Sequence, residues 1–181
     1  MPARRGPFGF QANNSTRRYE YPWAYSRIAA HRAAVGGRPL DVVEIGGSLA
    51  GLQWVLAREG HHVTNIDPGL AARGTGWEVS AERHGALSKT FGAPVTLVPR
   101  TLAEAGVADQ SADVLLSVST IEHFAAADLA EFEAHAARIL RPDGIVVLTI
   151  DLFLNVAPFG GATSNMYGTN VDVCALLTRS G

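Results

Sequence analysis

The segment Val42-Val43-Glu44-Ile45-Gly46-Gly47-Ser48-Leu49-Ala50-Gly51 constrains the fold more than any other part of the chain. An apolar, β-branched run passes straight into a glycine-rich turn. It then enters a stretch with Leu49, Leu52, Val55 and Leu56 at helical spacing. A strand apolar on both faces, followed by a turn and a helix, suits a parallel sheet, because neighbouring parallel strands need a crossover. Glycines in such a turn let the backbone approach a ligand, and the helix start offers N–H groups with no partner of their own. Asp67 ends the next strand about twenty residues further on, where a carboxylate can accept both hydroxyls of a ribose. Together these features predict a nucleoside ligand at the carboxyl ends of the strands.

The rest of the chain repeats the alternation. Strands are expected at Asp41–Ile45, His62–Ile66, 94–98, Ala112–Val118 and 145–150, the last an unbroken apolar run. Helices are expected at 49–58, stopped by Gly60, at 77–91, and at 128–140, where Leu129, Phe132, Ala136 and Leu140 share one stripe. Pro142-Asp143-Gly144 reads as a turn. A loop rich in Gly, Pro and Asn follows Asp151, and a short helix is expected at 171–179. Ahead of the sheet, residues 1–18 read as a flexible arm and 19–37 as a helical segment ending at Gly36-Gly37, with Pro22 in its first turn. Residues 38–181 then form one α/β domain.

Composition narrows the function. The formal charge is −2, so the chain is neither a globally basic nucleic-acid binder nor an acidic tail protein. Hydrophobic residues make up 47%, enough for a core and too many for a disordered chain. Cys174 is the single cysteine, which leaves no internal disulfide and no multi-cysteine metal site. No apolar stretch approaches the roughly 20 residues of a membrane span. Arg4-Arg5 is not followed by the apolar run of a secretory signal, so a cytoplasmic location is expected.

Which nucleoside is bound turns on two details. The dinucleotide fingerprint G-x-G-x-x-G is nearly met by Gly46 and Gly51, but Ser48 stands at its middle glycine. Glu44, an acid just before the glycines, suits a cation and would repel a pyrophosphate. At this point the sequence resembles the class I S-adenosylmethionine-dependent methyltransferases, in their type-11 small-molecule branch, over roughly residues 20–180. Residues 44–51 resemble the family's first motif and Val63-Thr64-Asn65-Ile66-Asp67 its second. Residues 109–124, ending in Glu122-His123-Phe124, are similar to its fourth-strand motif, and residues 140–149 to the turn and strand that follow.

The resemblance implies a doubly wound, Rossmann-like, mostly parallel sheet of order 3-2-1-4-5, with S-adenosyl-L-methionine as cofactor and a small molecule as acceptor. It places Glu44 near the methionine amino group and Gly46, Gly47 and Gly51 beneath the methionine and ribose, with Ser48 as a departure inside that loop. It gives Asp67 the ribose hydroxyls, Thr101 and Leu102 the adenine, and Ser117 a place in the donor site. His123 is the candidate base for an acceptor that must lose a proton. The aromatic cluster Tyr19, Tyr21, Trp23 and Tyr25 is read as a lid or acceptor pocket, or else as packing. The family's sixth and seventh strands have no counterpart here, which leaves three expectations: a fragment of a longer chain, a minimal fold, or a second copy or another partner covering the edge of the fifth.

Plainer roles compete at several positions. Glu122 and His123 suit structural hydrogen bonding, and Asp151, after the fifth strand, suits either a turn or a contact with substrate or a metal. His61-His62 lack a third metal ligand at suitable spacing, and no metal site is expected. His31, His84 and His135 read as surface residues, Cys174 as a small buried hydrophobe, and Arg138 and Arg141 as helix C-terminal caps. Two other functions stay open. One is an NAD-dependent oxidoreductase, which Ser48, Glu44 and the absence of a Tyr-x-x-x-Lys pair around Lys89, the sole lysine, argue against. The other is a non-catalytic methyltransferase-like binding subunit.

Overall fold

A computed structural model describes residues 2–9 and 15–179. Its centre is a five-stranded sheet of order β3-β2-β1-β4-β5, in which every pairing is parallel. The strands are β1 (Asp41–Ile45), β2 (His62–Ile66), β3 (Val95–Val98), β4 (Ala112–Val118) and β5 (Leu140–Thr149). The helices are α1 (Pro2–Gly9), α2 (Arg17–Ala34), α3 (Gly51–Arg58), α4 (Ala81–Phe91), α5 (Ala126–Ile139) and α6 (Val173–Arg179). Single 3-10 turns occur at Gly69–Ala71 and Ile121–His123.

The strand period of two splits the core between two faces. Val42, Val114, Leu116 and Val147 pack with Trp54, Leu52 and Ile28 on the side of α2, α3 and α4. Val43, Ile45 and Leu115 pack with Phe132, Ile139 and Leu176 on the side of α5 and α6. All seven residues of β4 are buried, as its central place and apolar sequence require. The helix after β1 and the helix after β4 thus lie on opposite faces. The sheet's carboxyl edge is left open between these two strands, where doubly wound sheets hold their ligands.

Several elements depart from the expectations. The helix expected from Trp77 starts at Ala81, because Ser80 caps it by accepting the Arg83 N–H. This frees Trp77 for a loop. The Pro142-Asp143-Gly144 turn lies inside β5, where the register jumps from Ala112↔Leu140 to Val114↔Ile145. The three residues form a bulge in one long strand, not a break before it. Helix α2 begins earlier than expected and carries Pro22 within it. Of the segment expected as an arm, Pro2–Gly9 is helical, kinked at Gly6, and lies against α3 and α4, while residues 10–14 lie outside the described residues. After β5, residues 151–172 run as the expected loop, and Val146 on β5 is 45% exposed.

The far edge of the sheet is held by charge. Asp113, buried at the start of β4, accepts two hydrogen bonds from Arg38, one from the Asp41 N–H, and an ion pair with Arg141. Arg141 is therefore not a helix cap. It ties β5 to Asp113 and Asp41. Arg138 does sit in the last turn of its helix, bonded to the Val107 carbonyl and Asp109. Cys174, expected buried, is exposed on α6.

Candidate functional site

The loop after β1 turns sharply because two of its residues adopt left-handed backbone. Gly46 has φ +68°, and a Cβ there would lie 2.1 Å from Thr120 Cγ2. Ser48 has φ +43°, so serine holds a conformation that glycine adopts without strain. Gly47 is needed for space, since a Cβ would stand 2.7 Å from the Glu44 carboxyl carbon and 2.8 Å from Asn65 Oδ1.

Beneath the loop lies a buried polar clamp. Asn65 accepts the Gly47 N–H and donates to the Ser48 carbonyl. Gln53 donates to the Ala50 carbonyl at 2.9 Å and also reaches the Ser48 carbonyl. Its Oε1 accepts from Asn65 and from His84 Nε2 at 2.8 Å. Gln53, Asn65 and His84 are all buried, so His84 is no surface residue; burial lowers its pKa and keeps the ring neutral.

Glu44 and Asp67 face the same end of the cleft from adjacent strands. Glu44 is 1% exposed, and its Oε2 has no hydrogen-bond partner. Burial first, and the neighbouring Asp67 second, push its pKa up to about 8. Asp67 accepts the Ser48 N–H at 2.9 Å on one oxygen and the Gly69 N–H at 2.8 Å on the other. Burial raises its pKa against the pull of those two donors. A carboxyl that is buried, unsatisfied and close to an open cleft is the counterpart of a cation.

The cleft measures about 830 Å³. Its lining includes Glu44, Gly46, Gly47, Ser48, Asp67, Thr101, Leu102 and His123 from the sequence-based set. Gly51 and Ser117 are not among the lining residues. Gly51 opens α3, and its missing Cβ makes room for the Pro7 carbonyl of α1, 2.3 Å from where that atom would be. The Ser117 hydroxyl turns into the sheet and donates to the Ile45 carbonyl, and Ser119 lines the cleft in its place. Thr101 donates its hydroxyl and its N–H to Glu104, so an acid stands beside that position although none occupies it.

Sequence reasoning missed the roof. Glu20 on α2 accepts hydrogen bonds from Ser119 and Thr149, each at 2.6 Å, at the ends of β4 and β5. Burial opposes its charge, but these bonds and Arg17 outweigh that and hold its carboxyl below the usual range. Arg17 donates through one nitrogen to Glu20 and to Ser119, and it lines the cleft beside Tyr21. No motif marks these residues; only their place one turn apart on a helix crossing the sheet edge could have done so. Of the aromatic cluster, only Tyr21 reaches the cleft. Tyr19 is 80% exposed, Trp23 46%, and Tyr25 binds Glu59.

The 3-10 turn at 121–123 organises the other wall. Glu122 is buried, its pKa pushed up to about 7 by burial, and it accepts the Asp151 N–H. His123 Nδ1 is bonded to the Tyr167 carbonyl, and burial lowers the ring's pKa. Asp151, read as a turn residue or a substrate or metal contact, lines the cleft. His61 is buried and accepts the Leu40 N–H, whereas His62 is exposed beside Asp41. Among the described residues no cluster of three His, Cys, Asp or Glu could hold a metal ion, and no helix is long and apolar enough to cross a membrane.

Comparison with known proteins bears on the family and the fold. Residues 43–148 match the model of a family described as a methyltransferase domain. No curated protein matches the sequence significantly. A Galdieria sulphuraria protein assigned as a sarcosine dimethylglycine methyltransferase superposes with a TM-score of 0.59 at 20% identity, over 72% of this chain and 46% of its own. Magnesium protoporphyrin IX methyltransferase from Synechocystis PCC 6803, with bound S-adenosylhomocysteine, gives 0.51 at 18% identity, over 76% and 61%. Burkholderia thailandensis 1,6-didemethyltoxoflavin-N1-methyltransferase, with its acceptor and S-adenosylhomocysteine bound, gives 0.58 at 18% identity, over 94% and 80%. The chain thus spans about half the length of the first of these and most of the last.

Proposed function

The chain belongs to the methyltransferase-domain family, and we propose that it transfers a methyl group from S-adenosylmethionine to a small-molecule acceptor. The observation that carries this reading is the unpartnered Oε2 of buried Glu44, set under Gly47 at the open edge between β1 and β4. The donor has an ammonium group that such an oxygen would receive, and the reading gives Glu44 that task. A dinucleotide would bring a pyrophosphate to the same loop, against two neighbouring acids.

The remaining roles follow from position. Gly46, Gly47 and Ser48 let the methionine part lie against the loop, and Asp67 takes the ribose hydroxyls with the lone pairs its two backbone donors leave. Thr101 and Leu102 border the adenine. When bound, the cofactor supplies a sulfonium whose methyl group is already activated. The chain's task is then to hold the acceptor in line and keep water out. The solved relatives with bound S-adenosylhomocysteine support this choice of cofactor. With a single cysteine and no disulfide framework, the chain also suits a reducing, cytoplasmic compartment.

Calorimetric titration with S-adenosylhomocysteine tests the reading. Binding is expected, and Asp67→Ala should weaken it by at least about 1.4 kcal/mol, which is tenfold. Binding of NADH in place of S-adenosylhomocysteine would overturn it.

A further inference from the structure

Beyond the donor half, the cleft continues into a bay around His123, and we propose that this bay takes a planar aromatic acceptor bearing an acidic hydroxyl or ring N–H, whose proton passes to His123. The inference rests on the methyl-transfer reading and adds the substrate class to it.

The walls are aromatic and incompletely covered. Trp77 and Tyr167 both line the cleft, yet they remain 50% and 47% exposed. Aromatic surface left open to water inside a concave site gains free energy when an apolar ligand covers it. The arrangement of the rings indicates the shape of that ligand. Phe153 and Tyr167 stack 6.3 Å apart at 22°, nearly parallel. Trp77 meets the His123 ring edge-on, 4.6 Å away at 76°. A near-parallel pair extends most favourably by one more flat ring in offset stacking. A cage for an alkylammonium would need several ring faces converging on one point. Here some of those faces are already turned to one another.

Both walls are fastened to one short turn. Thr75 donates to the His123 carbonyl at 2.9 Å, and Thr169 to the Glu122 carbonyl at 3.1 Å. Each contact depends on a glycine. A Cβ at Gly74 would lie 2.0 Å from the His123 carbonyl oxygen, and one at Gly168 2.0 Å from that of Glu122. The loop carrying Trp77 and the loop carrying Tyr167 are therefore both brought against His123.

The same contacts define the state of the imidazole. A carbonyl only accepts, so the bond to Tyr167 places the proton on Nδ1 and leaves Nε2 of the neutral ring as an acceptor. Burial favours the neutral ring, which is the form a base requires. In the transfer, the acceptor's oxygen or nitrogen forms the bond to the methyl carbon. The carbon–sulfur bond breaks with its electron pair on sulfur, and the acceptor's proton ends on His123 Nε2, from which water removes it.

Umbelliferone, a flat phenol with its own fluorescence, is a direct probe. Herniarin, its methyl ether, is the control without the proton. Fluorescence anisotropy on protein saturated with S-adenosylhomocysteine should show saturable binding of both. Trp77→Ala, at a half-exposed position, should weaken both by about tenfold. His123→Phe should weaken umbelliferone by about tenfold and leave herniarin within about twofold. The proposal is overturned if S-adenosylhomocysteine binds but umbelliferone does not, or if tetramethylammonium binds more tightly than umbelliferone in a Trp77-dependent way. Protein that binds umbelliferone with the expected Trp77 dependence but ignores S-adenosylhomocysteine would keep the aromatic bay and lose the methyl-donor reading.

Discussion

Glu44 sits in strong electrostatic tension, buried and beside a second acid, Asp67. In the protein alone its pKa of about 8 leaves the carboxyl mostly protonated at neutral pH. An ammonium group placed against Oε2 would favour the ionised form, so ligand binding should expel a proton. Below about pH 8, affinity for S-adenosylhomocysteine should therefore rise with pH and level off above it. Tyr21, raised to about 12 by burial, stays neutral throughout this range. Calorimetry at pH 7 in buffers of different ionisation enthalpy should report proton release, and Glu44→Gln should abolish it. Equal heats in all buffers for the unaltered protein would show that Glu44 does not meet the cation. Glu44 and Asp67 are legible in the sequence because each stands at the carboxyl end of a short strand and is followed closely by glycines that mark a turn, Gly46-Gly47 and Gly69. Arg17 and Glu20 are not, because a helix that crosses a sheet edge leaves no local pattern.

At the scale of elements, the glycine loop is only as fixed as the clamp below it. Gln53 of α3, Asn65 of β2 and His84 of α4 join the three elements through a buried network directed at the loop's carbonyls. Gln53→Leu would take from His84 Nε2 and the Ala50 carbonyl the bonds that Gln53 makes to them, and leave Asn65 and the Ser48 carbonyl with one bond fewer each. The expected loss is about 2 kcal/mol of stability, seen in urea denaturation. It should also weaken S-adenosylhomocysteine more than any change at the far edge of the sheet does. A loss of stability with unchanged affinity would separate the clamp from loop positioning. The loop after β5 poses the same problem of legibility. Its Gly, Pro and Asn content identified it as irregular, but not that it folds back to deliver Asp151, Phe153 and Tyr167 to the cleft.

The whole molecule collects opposing pH dependences. Burial lowers the pKa of His61, His84 and His123, so their contribution to stability is lost as pH falls below 6.5. Asp113, depressed by hydrogen bonds from Arg38 against its own burial, adds a further loss below 3.8. Glu44 and Glu122 act in the other direction. Folded, they keep protons that the unfolded chain releases above 4.5, so stability declines as pH rises toward about 8 and about 7. Above pH 6.5 only the acids still act. Unfolding free energy without ligand should therefore drop by about 2 kcal/mol between pH 6.5 and 8. Glu44→Gln should flatten most of that slope, and a slope unchanged in this variant would remove Glu44 as its source. Asp113→Ala, which takes from Arg38 its carboxylate and leaves Arg141 with Asp41 alone, should cost about 3 kcal/mol at neutral pH by urea denaturation, with little effect on ligand affinity.

The sequence by itself determined the alternation of strands and helices, the parallel run of the strands, and the two acids at the sheet's carboxyl edge. Each of these follows from local pattern: apolar runs of strand length, glycines where the chain must turn, and a charge at a strand's end. Only the tertiary structure decided what surrounds the site. It brought Glu20 to Ser119 and Thr149 across the sheet edge, buried His84 beneath the glycine loop, turned Ser117 inward, and set Trp77 and Tyr167 against His123. The physical reason is one of range. Backbone propensity and strand period act over a few residues, whereas burial, hydrogen-bond partners and pKa depend on neighbours distant in the chain.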